Sequence, residues 1–367
     1  MKRLLSIDLL RGLTVILMIF VNNGAGDSIF HTLTHSRWNG MTLADCVFPS
    51  FLFIMGMSTY LSLRKYHFTW SRTVARKITK RGFLLFLIGL ALNWLNNALD
   101  GRAFDFGHLR LWGVMQRLGI CYFLTAALAL SMPRTIKKNI SYGFIPIIIG
   151  GLIAYAAILL LGHGYDYDAA TNLLARVDNA LFGYDHLYHK SPVDPEGLIS
   201  TLPATLHCMI GFVVMEFLDQ AKTLTKKVQT LLSVAIVCCL VGAILVHWLP
   251  VNKRVWSPTY VLFTIAICSV CLALLIVAID RKPVAATGSD RYRWLKSFGM
   301  NPLALYVGSE ALASLFGATG LKETLYQTIH TVVTDASWAG FCYAAFFTSL
   351  FAVIGAILYR KKIFIKL

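Results

Sequence analysis

His35, Asp45 and Asn22 are the residues of this chain whose types and spacing suit proton-transfer chemistry. The block His35-Ser36-Arg37-Trp38-Asn39-Gly40-Met41-Thr42-Leu43-Ala44-Asp45 places an imidazole, an indole, an amide and a carboxylate close together, and it runs directly into apolar Cys46 to Gly56. A histidine titrates near neutral pH and can take a proton from an attacking amine or hydroxyl. An amide can polarise a carbonyl oxygen or fix the imidazole ring. Asn22, thirteen residues before His35, supplies that amide at the rim of the first apolar run. The chemistry this mixture suits is acyl transfer. Plainer roles stay open at these positions: His31 and His35 as ordinary loop histidines, Asn23 and Gly24 as a helix C-cap, and Asp45 as a helix N-cap.

Other polar residues interrupt apolar segments. Asp8 and Arg11 sit three apart, so they share a helix face. They read either as an interfacial ion pair or as a pair in which Arg11 receives cofactor phosphates. Gln116 and Arg117 lie inside the fourth apolar run, where an arginine needs an internal partner or a wet cavity. In 193–203, Pro195, Gly197 and Pro203 give turn chemistry and Ser200 and Thr201 can cap a helix. Asp194 and Glu196 there could also bind hydroxyls or an ammonium group. Asn252, Lys253, Arg254 and Trp256 fit an interface anchor. Glu216, His207, His247 and Glu310 lie near ends of runs and read as interfacial. Cys268 and Cys271 form a CxxC without a second ligand pair, which argues against a metal site.

The elements that must position these groups are membrane helices. Of 367 residues, 57% are hydrophobic and 14% charged, well below the charge of a soluble domain. The apolar residues fall into ten runs of about bilayer-spanning length: 4–23, 43–63, 82–98, 112–132, 143–162, 201–219, 229–249, 256–279, 303–318 and 337–359. The expected fold is therefore all-α, a polytopic bundle of about ten transmembrane helices forming one domain over 1–367. Leu325–Val333 is too short to span and fits a surface helix. The first run lacks a small-residue cleavage site and is kept as a helix.

The net charge of +16 follows topology rather than a nucleic-acid partner. Basic clusters occupy alternate connections: Lys2/Arg3, Arg64 to Arg81, Arg134/Lys137/Lys138, Lys222/Lys226/Lys227, Arg281 to Lys296 and Arg360 to Lys366. The loop 163–200 is acidic and too short for an independent domain. Positive-inside bias puts both termini in the cytoplasm and His35, 100–110, 163–200 and Lys253 outside. Some basic loops are placed to touch anionic membrane lipid.

Several blocks together carry a resemblance. They are Ser6 to Gly12, His35 to Gly56, Gly113-Val114-Met115-Gln116-Arg117, Asp178 to Tyr188, Asp194 to Pro203, Pro250 to Trp256 and Gly299-Met300-Asn301-Pro302-Leu303. In this order they resemble the transmembrane acyltransferase family that contains heparan-α-glucosaminide N-acetyltransferase and its bacterial relatives. The resemblance implies a homodimeric, multi-pass protein of the bacterial inner membrane. It would move acetyl from cytoplasmic acetyl-CoA to the amino group of a glucosamine on the far side. No metal is implied. The family's histidine falls on His35 and its asparagine on Asn22. Cofactor contacts are expected at Arg11, Asp8, Gln116, Arg117 and Asn301. Sugar contacts are expected at Trp38, Asn39, Asp45, Asp194, Glu196 and Lys253. His35 would serve as general base, with an acetyl-His35 intermediate as the competing route. Some relatives are associated with N-acetylglucosamine uptake, so a permease for that sugar is the alternative. A structural scaffold is the third reading, disfavoured by the cost of intramembrane charge.

Overall fold

The computed structural model describes residues 4–26, 30–133, 139–281 and 292–365. Lys2, Arg3, Arg134, Lys137, Lys138, Lys366 and the stretch 282–291, counted above among the basic clusters, lie outside the described residues.

Among the described residues, thirteen α-helices follow one another. They are α1 (Leu5–Asn22), α2 (Leu43–Arg64), α3 (Arg72–Leu99), α4 (Val114–Ser131), α5 (Ser141–Leu161), α6 (Leu173–Phe182) and α7 (Thr201–Gln220). After these come α8 (Leu224–Leu245), α9 (Pro258–Leu275), α10 (Arg293–Met300), α11 (Pro302–Ala318), α12 (Leu321–Val332) and α13 (Ala336–Arg360). Among the described residues, nine are long and apolar enough to cross a membrane. The expected span at 303–318 is α11, with 17 residues, or about 26 Å at 1.5 Å per residue. That is shorter than the hydrocarbon core of about 30 Å. The sequence element at 325–333 is α12, beginning at Leu321. The protein is thus a polytopic helical membrane protein.

Local chemistry sets the helix ends. Ser71, Thr223, Ser257 and Asp335 each accept a backbone N–H from the first turn of the following helix, satisfying donors that have no partner within the helix. Long-range caps join the ends of different helices. The Asp280 carboxylate accepts from Leu5 N and Ser6 N at 3.0 and 3.3 Å. The Glu216 carboxylate accepts from Ile140 N and Ser141 N at 2.8 and 2.7 Å. Glu216 is therefore a buried cap and not the interfacial charge its place near a span end suggested.

The centre of the bundle is the packing of α2 on α7. Gly56 lies against the Cys208 carbonyl and Gly211 against the Phe53 carbonyl, with no room at either position for a Cβ. Small residues of this kind let membrane helices approach to backbone contact. The same device joins α1 to α10, where Gly12 meets the Leu295 carbonyl and Gly299 the Asp8 carbonyl. Both chain ends come to one end of the bundle: Leu5 at Asp280, and the 363–365 tail at Asn301. The loops bearing His35 and Lys253 lie at the other end. There Tyr155, Leu159, Leu174, Ala175, Val193 and Val255 form a second small core beneath 163–200.

Candidate active site

Asp45 belongs to a capping box at the start of α2. Its carboxylate accepts from Thr42 N at 3.1 Å, and the Thr42 side chain caps the turn in return. Pro49 lacks the N–H that would bond the Asp45 carbonyl. That freed carbonyl accepts the Tyr260 hydroxyl from α9 at 2.6 Å, which pins the mouth of α2 to α9. The same fully buried Asp45 carboxylate reaches out of the helix to the His35 ring, Oδ1 to Nδ1 2.9 Å, and accepts from Ser36 N at 3.0 Å. The N-cap of α2 is Thr42, so Asp45 is not the N-cap expected of it but the N3 acid of the box, and it also fixes the imidazole. With Nδ1–H donating to Asp45, the Nε2 lone pair is the ring's proton acceptor, and Lys253 Nζ lies 3.4 Å from it. The His35 side chain keeps 39% of its surface exposed, so a substrate can reach it.

Trp38 and Asn39 fasten this loop. Trp38 Nε1 donates to the Tyr165 carbonyl at 2.8 Å. Asn252 Nδ2 donates to Asn39 Oδ1 at 3.0 Å, and Gly40 N donates to the Val251 carbonyl at 2.7 Å. This pairing carries Lys253 to His35 across 218 residues of sequence. Lys253 Nζ stands 3.0 Å from Nδ1, 3.4 Å from Nε2 and 3.3 Å from Asp45 Oδ1. Burial pushes the Lys253 ammonium below its usual range, against the pull of Asp45 and Glu196. Trp256 follows in the left-handed region at φ 52°, a costly conformation for a bulky residue. Its fully buried ring is held there edge-on to Phe48 and Tyr260.

His35, Asn22, Glu196, Lys253, Arg254, Tyr188 and Tyr306 line a cavity of about 160 Å³. This is smaller than drug-sized ligand sites of roughly 300–1,000 Å³, so it takes a small group. Asn22 Nδ2 donates to Glu310 of α11 at 3.2 Å, while the His35 ring is held by Asp45. Asn22 therefore shares the cavity but does not orient the ring. Behind the Glu196 wall, Arg110 bonds Asp194 and Glu196 at 2.8 Å each. Burial opposes the charge on Glu196, but Arg110 outweighs it and holds the carboxyl below the usual range. Asp194 is fully engaged, since it also accepts from Tyr188 N and Glu196 N.

A second cavity of about 420 Å³ opens toward the end that carries the termini. Arg11, Ser58, Lys77, Arg81, Met300 and Ile365 are among its walls. Arg11 donates to Ser58 Oγ at 2.7 Å and pairs with buried Asp8 at 3.2 Å. The two cavities lie between the same helices, one above the other. Met18 of α1, Phe48 of α2, Val114 of α4 and Tyr306 of α11 face the His35 cavity. Arg11, Phe51, Leu118 and Leu303 of those same helices face the other. Each pair is one or two turns apart on one helix face.

Three expected cofactor contacts fall elsewhere. Arg117 and Gln116 sit in the first turn of α4, at the His35 end, because α4 begins only at Val114. Arg117 is fully buried, bonds the Gly197 carbonyl and Ser200 Oγ, and lies 5.0 Å from the Trp256 ring. It props the 194–200 turn. Gln116 fills the space left by Gly89 and Gly113. Asn301 spends its amide on the tail, donating to the Ile363 carbonyl and accepting from Ile365 N. Trp38 and Asn39 likewise hold loops and are not among the residues lining the His35 cavity. Sequence reasoning missed the site positions of Arg110, Tyr188, Arg254, Tyr306 and Glu310. It also read Lys77 and Arg81 as topology alone, although their four-residue spacing puts them on one face of α3. Among the described residues, no group of three or more His, Cys, Asp or Glu converges as a metal site.

Residues 3–165 match the family profile described as heparan-alpha-glucosaminide N-acetyltransferase, catalytic. Over its whole length the chain is 30% identical to the heparan-alpha-glucosaminide N-acetyltransferases of Homo sapiens and of Mus musculus. The chain is similar to this family over residues 3–165 and to these two relatives along its whole length. It spans 60% and 61% of the length of those two relatives. The profile match takes in Arg11, Asn22, His35, Asp45, Lys77, Arg81 and Arg110, so it includes residues of both cavities. Glu196, Lys253 and Glu310 fall beyond it, within the region matched to the two relatives.

Proposed function

We propose that the protein is an acetyltransferase that takes acetyl from acetyl-CoA at the end bearing the termini and delivers it to the amino group of a glucosamine-type sugar at the His35 end. The observation that carries this reading is the alignment of two unlike cavities between the same four helices. One is basic and the other holds a histidine fixed by a buried carboxylate. Similarity to the family supports the reading, and the basic loops flanking the spans support a cytoplasmic location for the Arg11 end.

The lower cavity fits a phosphate-bearing thioester. Arg11, Lys77 and Arg81 present cations there, and the buried Arg81 Nε makes no hydrogen bond among the described residues, its guanidinium lying 4.5 Å from the Tyr122 ring. Arginine forks suit phosphate oxygens. Acetyl-CoA supplies an acyl group activated as a thioester. From Arg11 to Asn22, α1 rises about 17 Å, the path an extended arm must cover.

The residues of the upper cavity do the rest. His35 Nε2 accepts the proton of the attacking sugar amine, and Asp45 stabilises the resulting imidazolium and keeps its orientation. Asn22, held by Glu310, is the amide placed to polarise the acyl carbonyl. Glu196 and Lys253 offer an acceptor and a donor to sugar hydroxyls or the amine. The buried apolar residues between the cavities exclude water, which would otherwise compete as acceptor.

Binding of CoA separates this reading from a permease. Purified protein in detergent is expected to bind acetyl-CoA, and Lys77→Ala to weaken that binding roughly ten- to a hundredfold, as for a lost charge-assisted contact. Calorimetry showing no binding by folded wild-type protein, together with uptake of N-acetylglucosamine into liposomes, would support the permease instead.

A further inference from the structure

The amine nearest to His35 belongs to the chain itself. Lys253 Nζ lies within hydrogen-bond distance of both ring nitrogens and 3.3 Å from Asp45. Its side chain is 12% exposed and faces the same cavity as His35 and Asn22. The Asn39–Asn252 pairing and the Asn252 bonds to Ser257 and Val255 hold its loop in place. An acceptor amine must meet the same base, in the same small cavity, at the same distance. Lys253 thus presents to His35 the group that a sugar would present. Its buried ammonium gives up a proton more readily than an exposed lysine, and a desolvated lysine amine is a competent nucleophile.

We propose that Lys253 is a self-acetylation site: without an acceptor sugar, its Nζ takes the acetyl group of a bound acetyl thioester and becomes an Nε-acetyl amide. The inference rests on the acyltransferase reading above. His35 takes a proton from the Lys253 ammonium. The freed lone pair attacks the thioester carbonyl carbon, a C–N bond forms and the C–S bond breaks. The thiol leaves with one proton, and the other goes to solvent. The product is a stable amide, not a transfer intermediate. It removes the cation beside Asp45 and fills the cavity next to His35, so acetylated protein loses sugar transfer. A bound amino sugar occupies the place beside His35 and protects Lys253.

The test uses the full chain in nanodiscs with trideuteroacetyl-CoA, and peptide mass spectrometry to read each labelled residue. Without sugar, label is expected at Lys253 about a hundredfold faster than at exposed Lys190 and Lys222, the contribution of a positioned base. It should resist hydroxylamine, fall to the level of those lysines in His35→Ala, vanish in Lys253→Arg and be suppressed by glucosamine. Labelling of Lys253 no faster than of Lys190, or equally fast in His35→Ala, would overturn the proposal. So would hydroxylamine-labile label confined to His35. If sugar is acetylated while Lys253 stays unlabelled, this inference alone fails. If neither sugar nor any residue is acetylated, the acyltransferase reading fails with it.

Discussion

At the scale of single residues, the centre of the account is a carboxylate with two tasks. One Asp45 oxygen serves the capping box and Ser36 N, while the other faces His35 Nδ1. Asp45→Asn can keep the capping acceptor but turns an amide N–H toward Nδ1. The ring then carries its proton on Nε2, where the base is needed. We expect kcat for sugar acetylation to fall about a hundredfold, with a Tm close to wild type; steady-state kinetics and thermal unfolding check both halves. Asp178 on α6 gives a pH prediction of different origin. Burial pushes its carboxyl up to about 6, opposed by the N–H of Leu198. A carboxyl whose folded pKa is raised contributes stability fully below its unfolded value, and that contribution is lost as pH rises through the folded value. The cost of the ionised form is on the order of 1–3 kcal/mol. Wild-type Tm should therefore decline between about pH 4 and 6 relative to Asp178→Asn, which keeps an acceptor for Leu198 N and has no charge to bury. Equal pH profiles for the two proteins would remove burial of Asp178 as a cause. The sequence showed His35 and Asp45 because they are ten residues apart in one polar block. It hid the site positions of Glu310 and Arg110, and Lys253 was legible only through the resemblance, since each joins the site through tertiary packing and reads, on its own, as an ordinary interfacial charge.

At the scale of elements, the site depends on how closely α2 can approach α7. Gly56 and Gly211 let the two backbones touch, and α2 carries Asp45 at its mouth while α7 follows the 194–200 turn. A side chain at either glycine must separate the helices. Gly211→Leu is expected to abolish the monodisperse peak in detergent size-exclusion chromatography. Gly150→Ala on α5, where nothing lies within 4 Å, should leave the peak unchanged. A normal profile for Gly211→Leu would show that the α2–α7 approach is not required. Hydrophobic runs marked the spans well, because a bilayer demands their length. Charge hid part of α3, which begins at Arg72, ten residues before its apolar run. The same effect hid α10, whose sequence reads as a basic loop although Gly299 packs it against α1. Arg117 is read differently for a related reason: an intramembrane arginine signals an internal partner, and here the partners include the Gly197 carbonyl and the Ser200 hydroxyl of the 197–200 turn.

At the scale of the whole molecule, the account rests on two cavities sharing four helices. One has the cations for a phosphate-bearing donor and the other has a fixed histidine for an amine acceptor. The alternating basic connections made the topology legible, and the return of both chain ends to one side of the bundle agrees with it. The stacking of the cavities was not legible, because it depends on which faces of α1, α2, α4 and α11 turn inward together. The most direct measurement is acetyl transfer by purified protein in nanodiscs, with radiolabelled acetyl-CoA and glucosamine, comparing wild type with His35→Ala. The account predicts labelled N-acetylglucosamine from wild type and a loss of about 10²–10⁴-fold in the variant. Undiminished transfer by His35→Ala, or no transfer by folded wild-type protein, would contradict it.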